Sequence, residues 1–232
     1  MSTAPSLHRC SRPDAAIFDL DGTLFHSAPG ITECLNAVLE ADARRRLTVG
    51  EATTMIGNGA RVLLSRAYEA TGGHPSPDDR GGMEARYTAL ADLLSEVPVG
   101  ASDLYPGVGQ TLARYSEAGI AMAVCTNKPE KAARHALDGL GIAGSFEMVI
   151  GGDSLAERKP HPMALTTILE RLGTTPDRAV MIGDSITDLD TARAAGMACI
   201  LVSFGYSRTP VTALGADRVV ENFTDLTALL RE

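Results

Sequence analysis

Five short apolar runs constrain the fold of this chain more than any other feature: AAIFDL from Ala15, AMAVCT from Ala121, MVI from Met148, AVMIGD from Ala179 and CILVSF from Cys199. They are rich in Val, Ile and Ala and lack strict alternation, which is how strands buried on both faces read. Parallel strands need crossovers long enough to hold a helix, and helix-length amphipathic segments lie between most of the runs. After Lys159, Leu165, Ile168, Leu169 and Leu172 fall at i, i+3, i+4 and i+7, forming one apolar stripe. Strand and helix therefore alternate as in an α/β domain with a doubly wound parallel sheet.

The first interval breaks this alternation. About a hundred residues separate the first run from the second, where a βαβ crossover needs about thirty. Within that interval Ile31, Leu35, Val38 and Leu39 mark one helical stripe, and Met83, Tyr87, Leu90, Leu94 and Val97 mark another. The Gly/Pro-rich TGGHPSPDDRGG lies between them as a breaker. An α-helical insertion is expected over residues 27–103, with the α/β core made from 1–26 and 104–232. The chain returns at DLYPGVG, where Pro106 and Gly107 announce a new helix start.

Composition narrows the class of partner. With a net charge of −8 over 232 residues, the chain lacks the basic balance that sequence-independent nucleic-acid binding requires, so no nucleic-acid partner is expected. Cys10, Cys34, Cys125 and Cys199 are widely scattered, without metal-ligand spacing or the density of a disulfide scaffold. The first sixteen residues hold no apolar segment of signal-peptide type, and no run approaches the length of a membrane span. A cytoplasmic protein with no membrane partner is the expectation.

The sheet pattern also says where chemistry belongs, because ligands of open α/β sheets bind beyond the carboxyl ends of the strands. Asp19 and Asp21 stand at the first such end, followed by Gly22, whose missing side chain permits a sharp turn and close approach of an anion to its amide. Taken alone, D-x-D-G is equally an Asx-type turn. Thr126 and Asn127 follow the second run, and Asp184 and Asp188 follow the fourth, with Lys159 between in RKPHP. Singly these read as a helix cap, helix N-terminal acids and a solvated charge. As an ordered set at successive strand ends they exceed what punctuation requires.

In order, DLDGTL, CTNKP, KPHP and GDSITD resemble the motifs of the haloacid dehalogenase superfamily over nearly the whole chain. DLDGTLFHSAPGIT, MIGNGARVLL, TNKPEKA and VIGGDSLAERKPHP are most similar to its phosphoglycolate phosphatase branch. The resemblance implies a Rossmann-like core, a helical cap inserted after the first strand, Mg²⁺ and a covalent aspartyl-phosphate. It implies Asp19 as nucleophile and Asp21 as acid/base, with Thr126 and Lys159 assisting. It also implies a metal held by the Asp19 carboxylate, the Asp21 backbone carbonyl and Asp184, with Asp188 orienting Lys159 or a metal-bound water. Charge counting agrees: Asp19, Asp184, Asp188 and a phosphate dianion place about five negative charges in one crevice, of which a dication and an ammonium offset three, leaving a remainder for backbone amides and the Thr126 hydroxyl. An acid that must first protonate a leaving group needs a raised pKa, and neighbouring carboxylates push Asp21 that way.

The leaving group is the cap's concern. In IGNGAR, Gly57 and Gly59 around Asn58 suit a tight turn whose backbone approaches a ligand, and Arg61 suits a small carboxylate, although a helix connector with a surface arginine reads equally well. Gly22 and Asn127 complete the expected substrate contacts. His26 stands where relatives carry an acid, and a neutral effect is expected. His161, between two prolines, fixes the loop that presents Lys159. His8, His74 and His135 share no ligand spacing, so no zinc site is expected. The expected partner is a small phosphorylated metabolite, most simply 2-phosphoglycolate, acted on by a monomer or homodimer. A sugar-phosphate phosphatase or a β-phosphoglucomutase-like phosphotransferase would use the same core. A receiver-type signalling module also places Asp, Thr and Lys at strand ends, but has no place for the insertion. Phosphonate cleavage is disfavoured because residues 27–103 contain no lysine.

Overall fold

The computed structural model describes residues 12–76, 78, 79 and 81–230. Cys10, His8 and the rest of the amino-terminal eleven residues, on which part of the localisation expectation rests, lie outside the described residues. In chain order the main elements are β1 (Ala15–Phe18), α1 (Ala28–Ala41), α2 (Val49–Thr53), α3 (Ala60–Ala70), α4 (Gly82–Leu94), α5 (Val108–Glu117) and β2 (Ala121–Cys125). They continue with α6 (Glu130–Gly139), β3 (Met148–Ile150), α7 (Met163–Leu172), β4 (Ala179–Gly183), α8 (Ile186–Ala194), β5 (Ala198–Val202) and β6 (Arg218–Val220).

Among the described residues the strands form one six-stranded sheet in the order β3-β2-β1-β4-β5-β6, and each pairing is parallel. The sheet separates two apolar layers, and adjacent residues of one strand serve opposite sides. Ala16 and Phe18 of β1 pack with Leu112 and Tyr115 of α5 and Leu137 of α6. Ala15 and Ile17 face Leu165, Ile168 and Leu169 of α7 and Leu189 of α8. This two-sided burial is why β1 to β5 read as continuous apolar runs. The Tyr115 hydroxyl, buried in the first layer, donates to the Leu226 carbonyl at 2.8 Å, as a buried polar group must.

Helices α1 to α4, which follow β1, build a third apolar cluster that Ala132 of α6 joins. Leu35, Leu39, Leu64, Tyr68 and Leu90 lie in it, fully or almost fully buried. Sequence periodicity located α1 and α4; α2 and α3 are additional. The chain leaves and re-enters the core side by side, through a bridge between Phe25 and Leu104. A helix does begin after Gly107, which takes the N-cap position of α5. No helix of the described residues is long and apolar enough to cross a membrane. Cys34, Cys125 and Cys199 are free and buried.

Candidate active site

Strand order reverses at β1, which has β2 on one side and β4 on the other. That switch point is where an open α/β sheet leaves a crevice beyond its carboxyl ends. Phe18 is in register with Val124 and with Ile182, so Asp19 emerges beside the last residues of both neighbouring strands. Its amide still donates to the Ile182 carbonyl at 2.8 Å, which extends the ladder and fixes the side chain. Thr126 leaves β2 and Asp184 leaves β4 at the same end.

Lys159, in the loop before α7, reaches into this crevice. Its ammonium donates to Asp19 Oδ1 at 2.8 Å and to Asp188 Oδ1 at 2.6 Å, and it is only 4% exposed. Burial opposes its charge, but Asp188 and Asp19 outweigh that cost and hold the ammonium firmly protonated. Asp188 carries a second duty on its other oxygen. Oδ2 accepts from the amides of Asp184 and Ser185 and from the Ser185 hydroxyl, at 3.2, 3.1 and 2.7 Å. The start of α8 and the position of Lys159 are therefore fixed by one carboxylate, a favourable use of an acid at a helix N-terminus.

Oxygens of Asp19, Asp184 and Asp188 lie within 4.8 Å of one another, all buried. Burial first, then Asp188 and Asp19, push the Asp184 carboxyl well above the ordinary range. Asp19 is pushed up to about 6, mainly by burial and against the pull of Lys159. Three acids facing one ammonium leave a deficit of positive charge. Hard oxygens at this spacing fit a divalent cation that would make up the deficit.

The backbone around Asp184 leaves no room for side chains. Gly22 has φ of 85°, and a Cβ on it would lie 2.5 Å from Asp184 Oδ2; one on Gly205 would lie 2.2 Å from Asp184 Cβ. The sequence assigned Gly22 an anion-binding amide. Its N–H instead donates to the Phe25 carbonyl at 3.1 Å, and the glycine is needed because Asp184 occupies the adjacent space. The Tyr206 amide donates to Asp184 Oδ2 at 2.5 Å.

Asp21 has a neighbour the sequence reading passed over. Lys128 donates to its Oδ1 and Oδ2 at 3.0 and 3.4 Å. An ammonium meets this carboxylate directly, where the sequence placed only other acids beside it. Thr126 Oγ accepts the Lys128 amide at 3.2 Å, leaving its O–H free to donate. Lys128 stood in the CTNKP motif; nothing in spacing alone shows which carboxylate such a lysine meets.

Asp19, Asp21, Thr126, Asn127 and Lys128 line a cavity closed from the other side by Ile31, Ile56, Gly57, Gly59, Leu63 and Leu94. Asn127 ties the two sides together, donating from Nδ2 to the carbonyls of Gly57 and Lys159, each at 3.1 Å. Its Oδ1 is buried without a hydrogen-bond partner among the described residues. Asn58 does not line the cavity and approaches Thr187 Oγ at 3.5 Å. Arg61 is not brought to the site: its guanidinium is paired with Glu84 through both nitrogens and lies 3.8 Å over the Tyr87 ring. His26, expected to be neutral in effect, has its Nδ1 3.1 Å from the Tyr206 hydroxyl, which itself accepts the Ala28 amide that opens α1. His161 accepts the Met163 amide at 3.2 Å, helping to start α7 after the Lys159 loop.

Comparison with known proteins points the same way. The chain is 44% identical over 215 residues to the phosphoglycolate phosphatase of Rhodospirillum rubrum, covering 92% of this chain and 89% of that protein. It is 38% identical over 224 residues to the phosphoglycolate phosphatase of Agrobacterium fabrum, covering 96% and 95%. A crystal structure of a predicted phosphoglycolate phosphatase from Haemophilus somnus superposes with a TM-score of 0.85 at 29% identity, over 93% of this chain and 97% of that one. CbbY from Rhodobacter sphaeroides, solved in complex with phosphate, gives 0.76 at 27% identity, over 95% and 100%. The profile of the haloacid dehalogenase-like hydrolases matches residues 13–196. The chain belongs to the haloacid dehalogenase-like hydrolase family.

Proposed function

We propose that the enzyme is a Mg²⁺-dependent phosphatase that hydrolyses 2-phosphoglycolate to glycolate and phosphate. The observation that carries the reading is the placement of Asp19: a carboxylate at a strand end, 2.8 Å from a buried ammonium, on the same cavity wall as Asp21. Family membership makes the protein a hydrolase rather than a receiver-type signalling module, and the phosphoglycolate phosphatases among its relatives suggest the substrate.

In this reading Asp19 attacks phosphorus and the ester oxygen departs, taking a proton from Asp21. The aspartyl-phosphate so formed is cleaved when water attacks phosphorus and gives its proton to Asp21; phosphate leaves and the Asp19 carboxylate is restored. Lys159 holds Asp19 in place and offsets charge on the transferring group, while the Thr126 hydroxyl is free to donate to a phosphoryl oxygen. The Asp19 and Asp184 carboxylates and the Asp21 backbone carbonyl would hold Mg²⁺, with Asp188 keeping Lys159 in register. Bound there, the cation would supply charge neutralisation for the phosphoryl oxygens. Residues 27–103 act as the cap over the catalytic core of 1–26 and 104–232, and exclude water from the crevice.

A phosphate-release panel of small phosphomonoesters, run with Mg²⁺ and with excess chelator, tests the reading. 2-Phosphoglycolate should rank first, with sugar phosphates lower, and chelator should abolish release. Preference for a hexose phosphate, or isomerisation of one without phosphate release, would instead establish the sugar-phosphate or phosphotransferase alternative.

A further inference from the structure

Lys128 is 7% exposed, and its ammonium sits against both oxygens of Asp21 and 6.0 Å over the Phe25 ring. A buried ammonium requires an anion, and at rest Asp21 is that anion. Asp21 cannot remain so during turnover. To reach an ester oxygen it must come within about 2.6–3.2 Å of it, which takes at least one of its oxygens away from Lys128. The lysine then needs another acceptor at nearly the same place.

Among the cavity's described lining residues Lys128 is the one cation. Lys159 is committed to Asp19 and Asp188, Arg61 is turned outward onto Glu84, and residues 27–103 contain no lysine. The cap's contribution to the wall is apolar: Ile31, Ile56, Leu63 and Leu94. An anionic group on the leaving alcohol would meet Lys128 alone among the described lining residues, the Arg158 guanidinium lying next to Gly59 but outside that lining. With Asp21 at the ester oxygen and Lys128 3.0 Å from Asp21, a carboxylate a few bonds beyond the ester oxygen is within reach of the ammonium.

We propose that Lys128 is the specificity-determining residue of this site, exchanging Asp21 for the carboxylate of a short 2-phosphorylated acid as the substrate enters. The proposal rests on the phosphatase reading and deepens it. The substrate brings the anion that replaces Asp21, so only when an acid of the right length is bound is Asp21 free to take a proton from solvent and pass it to the departing oxygen. An alcohol without a carboxylate leaves the lysine to compete with the ester oxygen for Asp21.

Kinetics with 2-phosphoglycolate and its carboxamide, 2-phosphoglycolamide, test this in the full-length Mg²⁺-loaded enzyme. The wild type should favour the acid by about 30-fold or more in kcat/KM, the scale of a charge-assisted hydrogen bond in a buried site. In Lys128→Met that preference should fall to within about threefold, with the loss for the acid mainly in KM, and Lys128→Arg should recover most of it. A Lys128→Met enzyme that keeps the wild-type preference overturns the proposal, as does a wild type that turns over both compounds equally. The wild-type comparison decides on its own if the variants fail to fold. Turnover of neither compound would instead remove the 2-phosphoglycolate reading beneath it.

Discussion

Asp184 is enclosed so closely that its neighbours' identities follow from it. The Gly205 backbone lies where a Cβ would come within 2.2 Å of Asp184 Cβ, and the next residue, Tyr206, donates its amide to the carboxylate. The Asp184 Cβ is fixed to its backbone and cannot swing aside as a flexible side-chain end can, so Gly205→Ala must displace Asp184 or the 205–206 turn. Overpacking of this kind costs about 1–3 kcal/mol, and here it also moves a proposed metal ligand. Urea denaturation should show a loss of that size, and the Mg²⁺ concentration for half-maximal activity should rise by about tenfold or more. At this scale the sequence was partly legible. Asp19, Lys159, Asp184 and Asp188 stood at strand ends or between them, and the sheet brings them together. Tyr206 was not legible because its contribution is a backbone N–H, which any residue other than proline supplies. Lys128 was visible as a residue, but its partner lies 107 positions away.

At the scale of elements, burial decided what could be read. Strands β1 to β5 were legible because their outward and inward positions are both apolar, whereas β6, Arg218–Val220, opens on a charged arginine and leaves only two apolar residues. Helix α3 buries Leu63, Leu64, Ala67 and Tyr68, but it begins directly after IGNGAR's glycines, whose turn character drew attention to the loop rather than to the stripe. That shift matters for Arg61. As a helical residue it pairs with Glu84 on α4 and joins α3 to α4 at the surface. Exposed pairs of this sort contribute little. Arg61→Ala should therefore lower Tm by no more than about 3 °C and change kcat/KM for 2-phosphoglycolate by less than about twofold, measured by thermal melt and steady-state assay. A tenfold loss of kcat/KM would place the residue in the site after all.

For the molecule as a whole, the acid cluster ties stability to pH and to the cation. The Asp19 carboxyl stands at about 6 in the folded protein and near 3.9 in an unfolded chain, and Asp184 is displaced in the same direction. Between those values the folded state holds more protons than the unfolded state, so stability falls as pH rises through the folded value. Carboxyls shifted the other way, such as Glu51 at about 2 beside Arg45, remain ionised in both states above about pH 5.5 and add no slope there. Chelator-treated protein should melt about 2–4 °C higher at pH 5.5 than at pH 7.5, and Mg²⁺ at pH 7.5 should restore at least that much by binding the folded state. Calorimetry showing no dependence on either variable would mean that the three carboxylates do not share a cation.

The covalent role of Asp19 can be read directly by quenching the enzyme during turnover of 2-phosphoglycolate with Mg²⁺ and reducing it with borohydride, which converts an aspartyl-phosphate to homoserine. Peptide mass spectrometry should find homoserine at position 19, absent from chelator-treated enzyme and from Asp19→Asn. Steady phosphate release with position 19 unmodified, or modification at another aspartate, would contradict the account.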